Sequence, residues 1–258
     1  MARRALTLLC AVVIALAIGA CAPAVGCGER TDGCLRVLFI GNSYTQVNDL
    51  PATFAALARA GGHRVEVGMA AEGGQTLLGH TTSSNTQSQL VPNQWDVVVL
   101  QEQSQIPSLT WSRDSEMAPG AQSLVTEIRG LGARPLFFST WAHRDGWPAN
   151  GMDEATMQAA IDASYLGLGR QLGVGVVPVG EAWTAASGAS TIGLWQDDGS
   201  HPTAAGTFLA AAVFYAALYA EDPVTASQGS GAPSVGGAST LAGVARDVVA
   251  DRGHWGLN

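Results

Sequence analysis

Val37-Leu38-Phe39-Ile40-Gly41-Asn42-Ser43-Tyr44-Thr45 is the stretch from which the architecture of this chain can be worked out. Four consecutive apolar residues with no polar alternation are what a strand buried on both faces requires. Gly41 and the small polar residues after it end that strand. The pattern returns at Asp96-Val97-Val98-Val99-Leu100, at Pro135–Ser139 and at Val174–Val179, with a shorter candidate at Val65–Met69. Between these runs lie helical patterns. Leu50–Ala60 carries Leu50, Phe54, Leu57 and Ala58 at helical spacing and ends in Gly61-Gly62. Ala118–Leu131, Met152–Leu172 closed by Gly173, the Ala-rich Ala204–Ala220 and a terminal Thr240–Asp251 read as further helices. Strand and helix in alternation predict the α/β class: a three-layer α/β/α sandwich around a mainly parallel sheet. The polar tract from Leu77 through 81–89 reads as irregular, and the Ser/Gly/Pro-rich 222–239 reads as a mobile loop.

In such a sheet, ligands bind beyond the C-terminal ends of the strands. Four polar clusters follow predicted strand ends: Ser43, Gln101-Glu102-Gln103-Ser104, Thr140-Trp141 and Glu181-Ala182-Trp183. They therefore share one edge. A serine hydroxyl there becomes a nucleophile only beside a base that is itself oriented by a third group. Asp198-Gly199-Ser200-His201-Pro202 supplies both. A spacing of three lets the Asp198 carboxylate hold Nδ1–H of His201 while Nε2 faces Ser43; Asp197 is a reserve orienter. Donors for an oxyanion are the Ser43 N–H, an N–H of Gly73 or Gly74, and the side-chain amide of Gln101 or Gln103. Asn42 is expected to hold the nucleophile loop through backbone hydrogen bonds. Trp141 and Trp183 either line a carbohydrate-binding wall or pack inside. Glu102 either supports its loop or meets substrate as a second acid. His80 reads as solvated, and His63, His143 and His254 are scattered. No metal and no cofactor are expected.

The chain has 258 residues, enough for one α/β domain, and 47% of them are hydrophobic. A net charge of -8 with only 13 Lys+Arg excludes the electrostatic grip on phosphate backbones that nucleic-acid binding needs. At the N-terminus, Arg3-Arg4 precede the apolar Leu6–Ile18, too short a run for a permanent span, so residues 1–20 read as a signal peptide. The following Ile18-Gly19-Ala20-Cys21 resembles the lipobox of bacterial lipoproteins. That resemblance implies lipidation of Cys21, a tether over 21–34 and a domain over 35–252 held at a membrane surface of the cell envelope, outside the cytoplasm. Cleavage near Ala20 or Ala24 by the ordinary route would instead release a soluble secreted protein. Cys27 and Cys34, exported together, are expected to form a small disulfide loop.

Taken together, Gly41-Asn42-Ser43, Gly73-Gly74 and Asp198 to His201 resemble the first, second and fifth blocks of the SGNH/GDSL hydrolase superfamily. The third block, usually G-x-N, is absent. Leu100-Gln101-Glu102-Gln103-Ser104 stands in its place and is similar to the Q-G-E-S segment of sialate O-acetylesterases, in which glutamine replaces the asparagine. The resemblance spans about residues 35–220. It implies a flavodoxin-like fold and a Ser-His-Asp esterase acting on a small acyl ester. Export, with an edge lined by Trp141 and Trp183, makes an acetyl group on a carbohydrate the favoured substrate. The competing expectation is a glycan-binding surface protein of the same fold without catalysis.

Overall fold

The computed structural model describes Cys27 and residues 33–257. The expected signal segment, Cys21 and most of the tether lie outside the described residues. In chain order the elements are β1 (Cys34–Gly41), α1 (Ser43–Gln46), α2 (Leu50–Ala60), β2 (Arg64–Ala71), α3 (Leu77–His80), α4 (Ser84–Gln89), β3 (Val97–Leu100), α5 (Thr110–Ser112), α6 (Ala118–Gly130), β4 (Arg134–Ser139), α7 (Glu154–Leu172), β5 (Gly175–Pro178), α8 (Val179–Ala189), α9 (Ala204–Tyr219), α10 (Pro223–Ser227) and α11 (Ala238–Val249). The strands form one parallel sheet in the order β2-β1-β3-β4-β5. This is the flavodoxin-like order, with its topological switch point between β1 and β3.

Register decides what meets at that point. Ile40 pairs with Leu100 and Leu100 with Phe137, so β1 ends one residue and β4 two residues beyond the end of β3. The residues after Gly41, Leu100 and Ser139 then emerge on one rim. Every residue of β3 and β5 is buried, as helices on both faces demand. On one face α9 is buried almost continuously from Gly206 to Ala217. A helix apolar all round must be covered all round, and α2, α8 and α11 cover it. Its Phe214 ring meets Phe39 of β1 at 5.1 Å and Phe138 of β4 at 5.2 Å, both edge-to-face. The other layer is built from α6 and α7, with α3 against α6.

Several expectations need correction. The tract after Leu77 is not irregular: it holds α3 and α4. The Ser and Thr residues that made it look loop-like serve as caps, Thr76 accepting from the Gly79 N–H and Ser83 from the Thr86 N–H. A further unforeseen helix, α8, starts directly after β5, and Glu181 and Trp183 lie on it. The 222–239 segment contains α10, capped by Asp222. Cys27 and Cys34 are joined by a disulfide at the foot of β1, with Cα atoms 5.6 Å apart. No described helix is long and apolar enough to cross a membrane.

Because Phe214 ties α9 to two strands, Phe214→Ala should destabilise the fold by about 3–5 kcal/mol. Trp111→Ala, at a side chain 67% exposed, should change stability by less than about 0.5 kcal/mol. Urea unfolding followed by circular dichroism compares the two.

Candidate active site

β1 ends at Gly41 and the chain turns at once into α1, with Asn42 as the cap: its Oδ1 accepts from the Tyr44 N–H at 3.1 Å, and its Nδ2 donates to the Gln75 carbonyl at 3.1 Å. Gln101, the first residue after β3, is fully buried beside this turn. Its Oε1 accepts from the Asn42 N–H and the Thr45 hydroxyl, both at 2.9 Å. Its Nε2 donates to Asn42 Oδ1 at 3.0 Å and to the Glu102 carbonyl. Gly41 has to be glycine here, since a Cβ would lie 2.6 Å from Thr45 Oγ1 and closer still to Gln101 Oε1. From below, His80 supports the same turn. A carbonyl can only accept, so Nε2 carries the proton and donates to the Gly41 carbonyl at 2.8 Å, while Nδ1 takes the Thr86 hydroxyl proton at 2.6 Å. His80 is thus a buried, hydrogen-bonded residue and not the solvated one expected, and burial holds its pKa below the ordinary histidine value.

Ser43 opens α1, where the first backbone N–H groups have no partner within the helix. Its Oγ lies 2.9 Å from Nε2 of His201, and Nδ1 of His201 lies 2.6 Å from Asp198 Oδ2. Asp198 also accepts the Ser200 and His201 backbone N–H groups on Oδ1 at 2.9 and 3.0 Å. One carboxylate therefore shapes the turn and orients the imidazole. These bonds, led by the one to His201, hold its pKa down at about 2. Asp197, the reserve orienter, meets Arg144 through its backbone carbonyl.

An aromatic column backs the histidine. The Tyr44 ring meets His201 edge-on at 5.8 Å and stacks on Trp141 at 4.5 Å. Trp141 stacks on Trp183 at 3.9 Å with the planes 11° apart, and Trp183 meets Trp195 at 5.5 Å. Trp141 Nε1 donates to the Ser200 carbonyl at 2.9 Å, tying the column to the loop that carries His201. Both Trp141 and Trp183 are fully buried. They cannot form the substrate-binding wall that was one of the two expectations; they pack inside the protein.

Ser43 and His201 open onto a cleft of about 280 Å³. Of the two candidate glycines, Gly74 lines it and Gly73 does not; Gly74 sits at φ +72°, where glycine is favoured. Gln101 is excluded as an oxyanion donor because both ends of its amide are consumed in the nucleophile turn. Gln103 lines the cleft; its Oε1 accepts from the Gln105 and Ile106 N–H groups, and its Nε2 lies 3.4 Å from Ser104 Oγ. Glu102 does not face substrate either. It is fully buried, with Oε1 accepting from the Leu77 N–H at 3.1 Å and the Gln103 N–H at 2.7 Å. It joins the loop after Gly74 to the loop that carries Gln103. Burial pushes its carboxyl up to about 7, and Oε2 has no hydrogen-bond partner.

Sequence reasoning placed neither Gln105 nor His143 at the cleft. His143 lines it with Nε2 3.2 Å from Ser104 Oγ. The strand-end rule that picked out Thr140-Trp141 would have reached it two residues further on.

Two predictions follow from this geometry. Gly41→Ala should cost about 1–3 kcal/mol by overpacking and depress any activity of Ser43; thermal melting and an ester assay read the two effects. Glu102 holds its proton more tightly folded than unfolded. Its contribution to stability is therefore complete in acid and is lost as pH rises from the ordinary glutamate range through about 7. Urea unfolding at pH 5 and pH 8 should show the wild type losing about 2 kcal/mol more across that interval than Glu102→Gln.

No protein-family model matches the chain, and no curated protein does. Solved structures do. A "DUF4886 family protein" from Bacteroides uniformis has a TM-score of 0.69 at 19% identity, over 85% of this chain and 96% of its own. An acetyl xylan esterase, AlAXEase, has a TM-score of 0.54 at 14% identity, over 71% of this chain and 100% of its own. Those identities show a shared fold only. The protein described as "a putative SGNH hydrolase from Slackia heliotrinireducens" is 30% identical, with a TM-score of 0.61, over 70% of this chain and 97% of its own. That identity across nearly the whole of the relative, on the same fold, shows that the chain belongs to the SGNH/GDSL hydrolase superfamily.

Proposed function

We propose that the chain is a serine esterase of SGNH type that cleaves small acyl esters, acetyl esters above all. We place it outside the cytoplasm, tethered through Cys21. The observation that carries the enzymatic reading is the continuous line Ser43 Oγ, His201 Nε2, His201 Nδ1, Asp198 Oδ2, with contacts of 2.9 and 2.6 Å. His201 takes the Ser43 hydroxyl proton as Oγ attacks the ester carbonyl. The Ser43 and Gly74 N–H groups, with the Gln103 amide as third donor, receive the oxyanion. Collapse of the tetrahedral intermediate breaks the bond to the alcohol, which leaves with the proton from His201. Water then attacks the acyl-serine, again giving its proton to His201, and the acid departs as Ser43 is restored. Asp198, ionised throughout the working pH range, keeps Nδ1 protonated and stabilises the imidazolium.

The cleft's volume favours a short acyl group. At about 280 Å³ it is slightly smaller than the roughly 300–1,000 Å³ typical of ligand pockets, which suits a small ester.

A fluorophosphonate should label Ser43, and Ser43→Ala should abolish the labelling. Hydrolysis of 4-nitrophenyl acetate should fall by about 10⁴-fold or more in Ser43→Ala and His201→Ala, and by about 10⁴-fold in Asp198→Asn. A folded wild type that neither takes the label nor hydrolyses the ester would sink the reading.

A further inference from the structure

Apart from Ser43 and His201, the cleft is lined by Asn42, Gln103, Ser104, Gln105, His143 and Ser200, with Tyr44 and Gly74. None of these carries a charged or aliphatic side chain, whereas ligand pockets are as a rule mostly apolar. The mechanism above uses neither His143 nor Ser104.

These two belong to a connected wall. His143 Nε2 lies 3.2 Å from Ser104 Oγ, and Tyr44 Oη lies 2.7 Å from Ser200 Oγ. The Ser104 hydroxyl also attends the Tyr44 phenol, whose proton burial secures by raising its pKa to about 12. Burial holds His143 below the ordinary histidine pKa and so favours neutral imidazole, with one donor and one acceptor. Each hydroxyl in the wall can turn to give or take a proton. The wall ends at Ser200, next to His201, and His143 lies within the electrostatic reach of both His201 and Asp198. An ester's alcohol has to leave where His201 Nε2 can protonate it, so this wall flanks the alcohol.

We infer that His143 and Ser104 form the alcohol subsite of the esterase proposed above, and that the alcohol is neutral and rich in hydroxyl groups, as a carbohydrate is. The inference rests on the esterase reading. It restores a carbohydrate substrate on residues other than the buried tryptophans. A phosphate or carboxylate would find no cation among the lining residues. An alkyl alcohol would strip water from the wall and leave its polar groups unpaired, which is how sites built for hydroxyls reject analogues that lack them.

The test compares 6-O-acetylglucose with hexyl acetate, both acetyl esters of primary alcohols, differing chiefly in hydroxyl groups. The wild type should favour the sugar ester at least tenfold in kcat/KM. His143→Ala and Ser104→Ala should each reduce that ratio at least fivefold, mainly through KM for the sugar ester. His143→Gln, which still donates and accepts, should keep most of the ratio. Equal wild-type activity on the two esters, or an unchanged ratio in His143→Ala and Ser104→Ala, overturns the subsite while leaving the esterase standing. A wild type inactive on both and on 4-nitrophenyl acetate overturns the esterase and the subsite with it.

Discussion

The site depends on one buried carboxamide. Gln101 makes four hydrogen bonds without contact with water, two accepted and two donated, and they join the end of β3 to the turn after β1. Each such bond adds only about 0.5–1.5 kcal/mol net, but a buried group left unpaired costs about 1–3 kcal/mol. The network therefore specifies a geometry more than it stabilises a fold. Glutamate would lose both donations and leucine all four bonds. Gly41, Asn42 and Thr45 are each fitted to that amide, and Ser43 points where it does because its neighbours on both sides are held.

Around this amide the electrostatics are arranged to keep most groups uncharged. His80 below the turn favours the neutral imidazole, and Glu102 favours the protonated acid. Their effects on stability run in opposite directions. His80 is harder to protonate folded than unfolded, so its contribution falls as pH drops below the ordinary histidine range, while that of Glu102 falls as pH rises. Asp198 is the exception: it is half-exposed and paired, and it keeps its charge because its bonds to His201 and to two backbone amides favour the ionised form. A fixed charge next to His201, in otherwise neutral surroundings, is what an imidazole cycling between two protonation states needs.

Apolar runs were enough to identify the strands inside the sheet, because parallel strands covered on both faces cannot alternate polarity; the edge strand β2, interrupted by Glu66 and only partly buried, showed as the weaker Val65–Met69 candidate. Their parallel ends then put Ser43, Gln101 and Thr140 on one rim. Asp198 and His201 were legible because three residues is a fixed reach within a turn. Local sequence could not show which way a side chain faces once the chain has left its strand. Trp141 and Trp183 looked as suited to a wall as to a core, and Gln101 as suited to an oxyanion as to a backbone clamp. His80 lies beneath β1 only because α3 and α4 form in a tract whose composition argued for a loop. Its role is tertiary, and nothing in the residues around it signals it.

The stacked indoles of Trp141 and Trp183 also have an optical consequence. Two chromophores lying 3.9 Å apart with their planes 11° apart couple through their transition dipoles, by an amount set by the spacing and by the angle between those dipoles. One indole belongs to the loop after β4 and the other to α8, and the first is bonded to the carbonyl just before His201. A movement of the loop bearing His201 that displaces Trp141 would therefore change the optical coupling of the two indoles, with no added label.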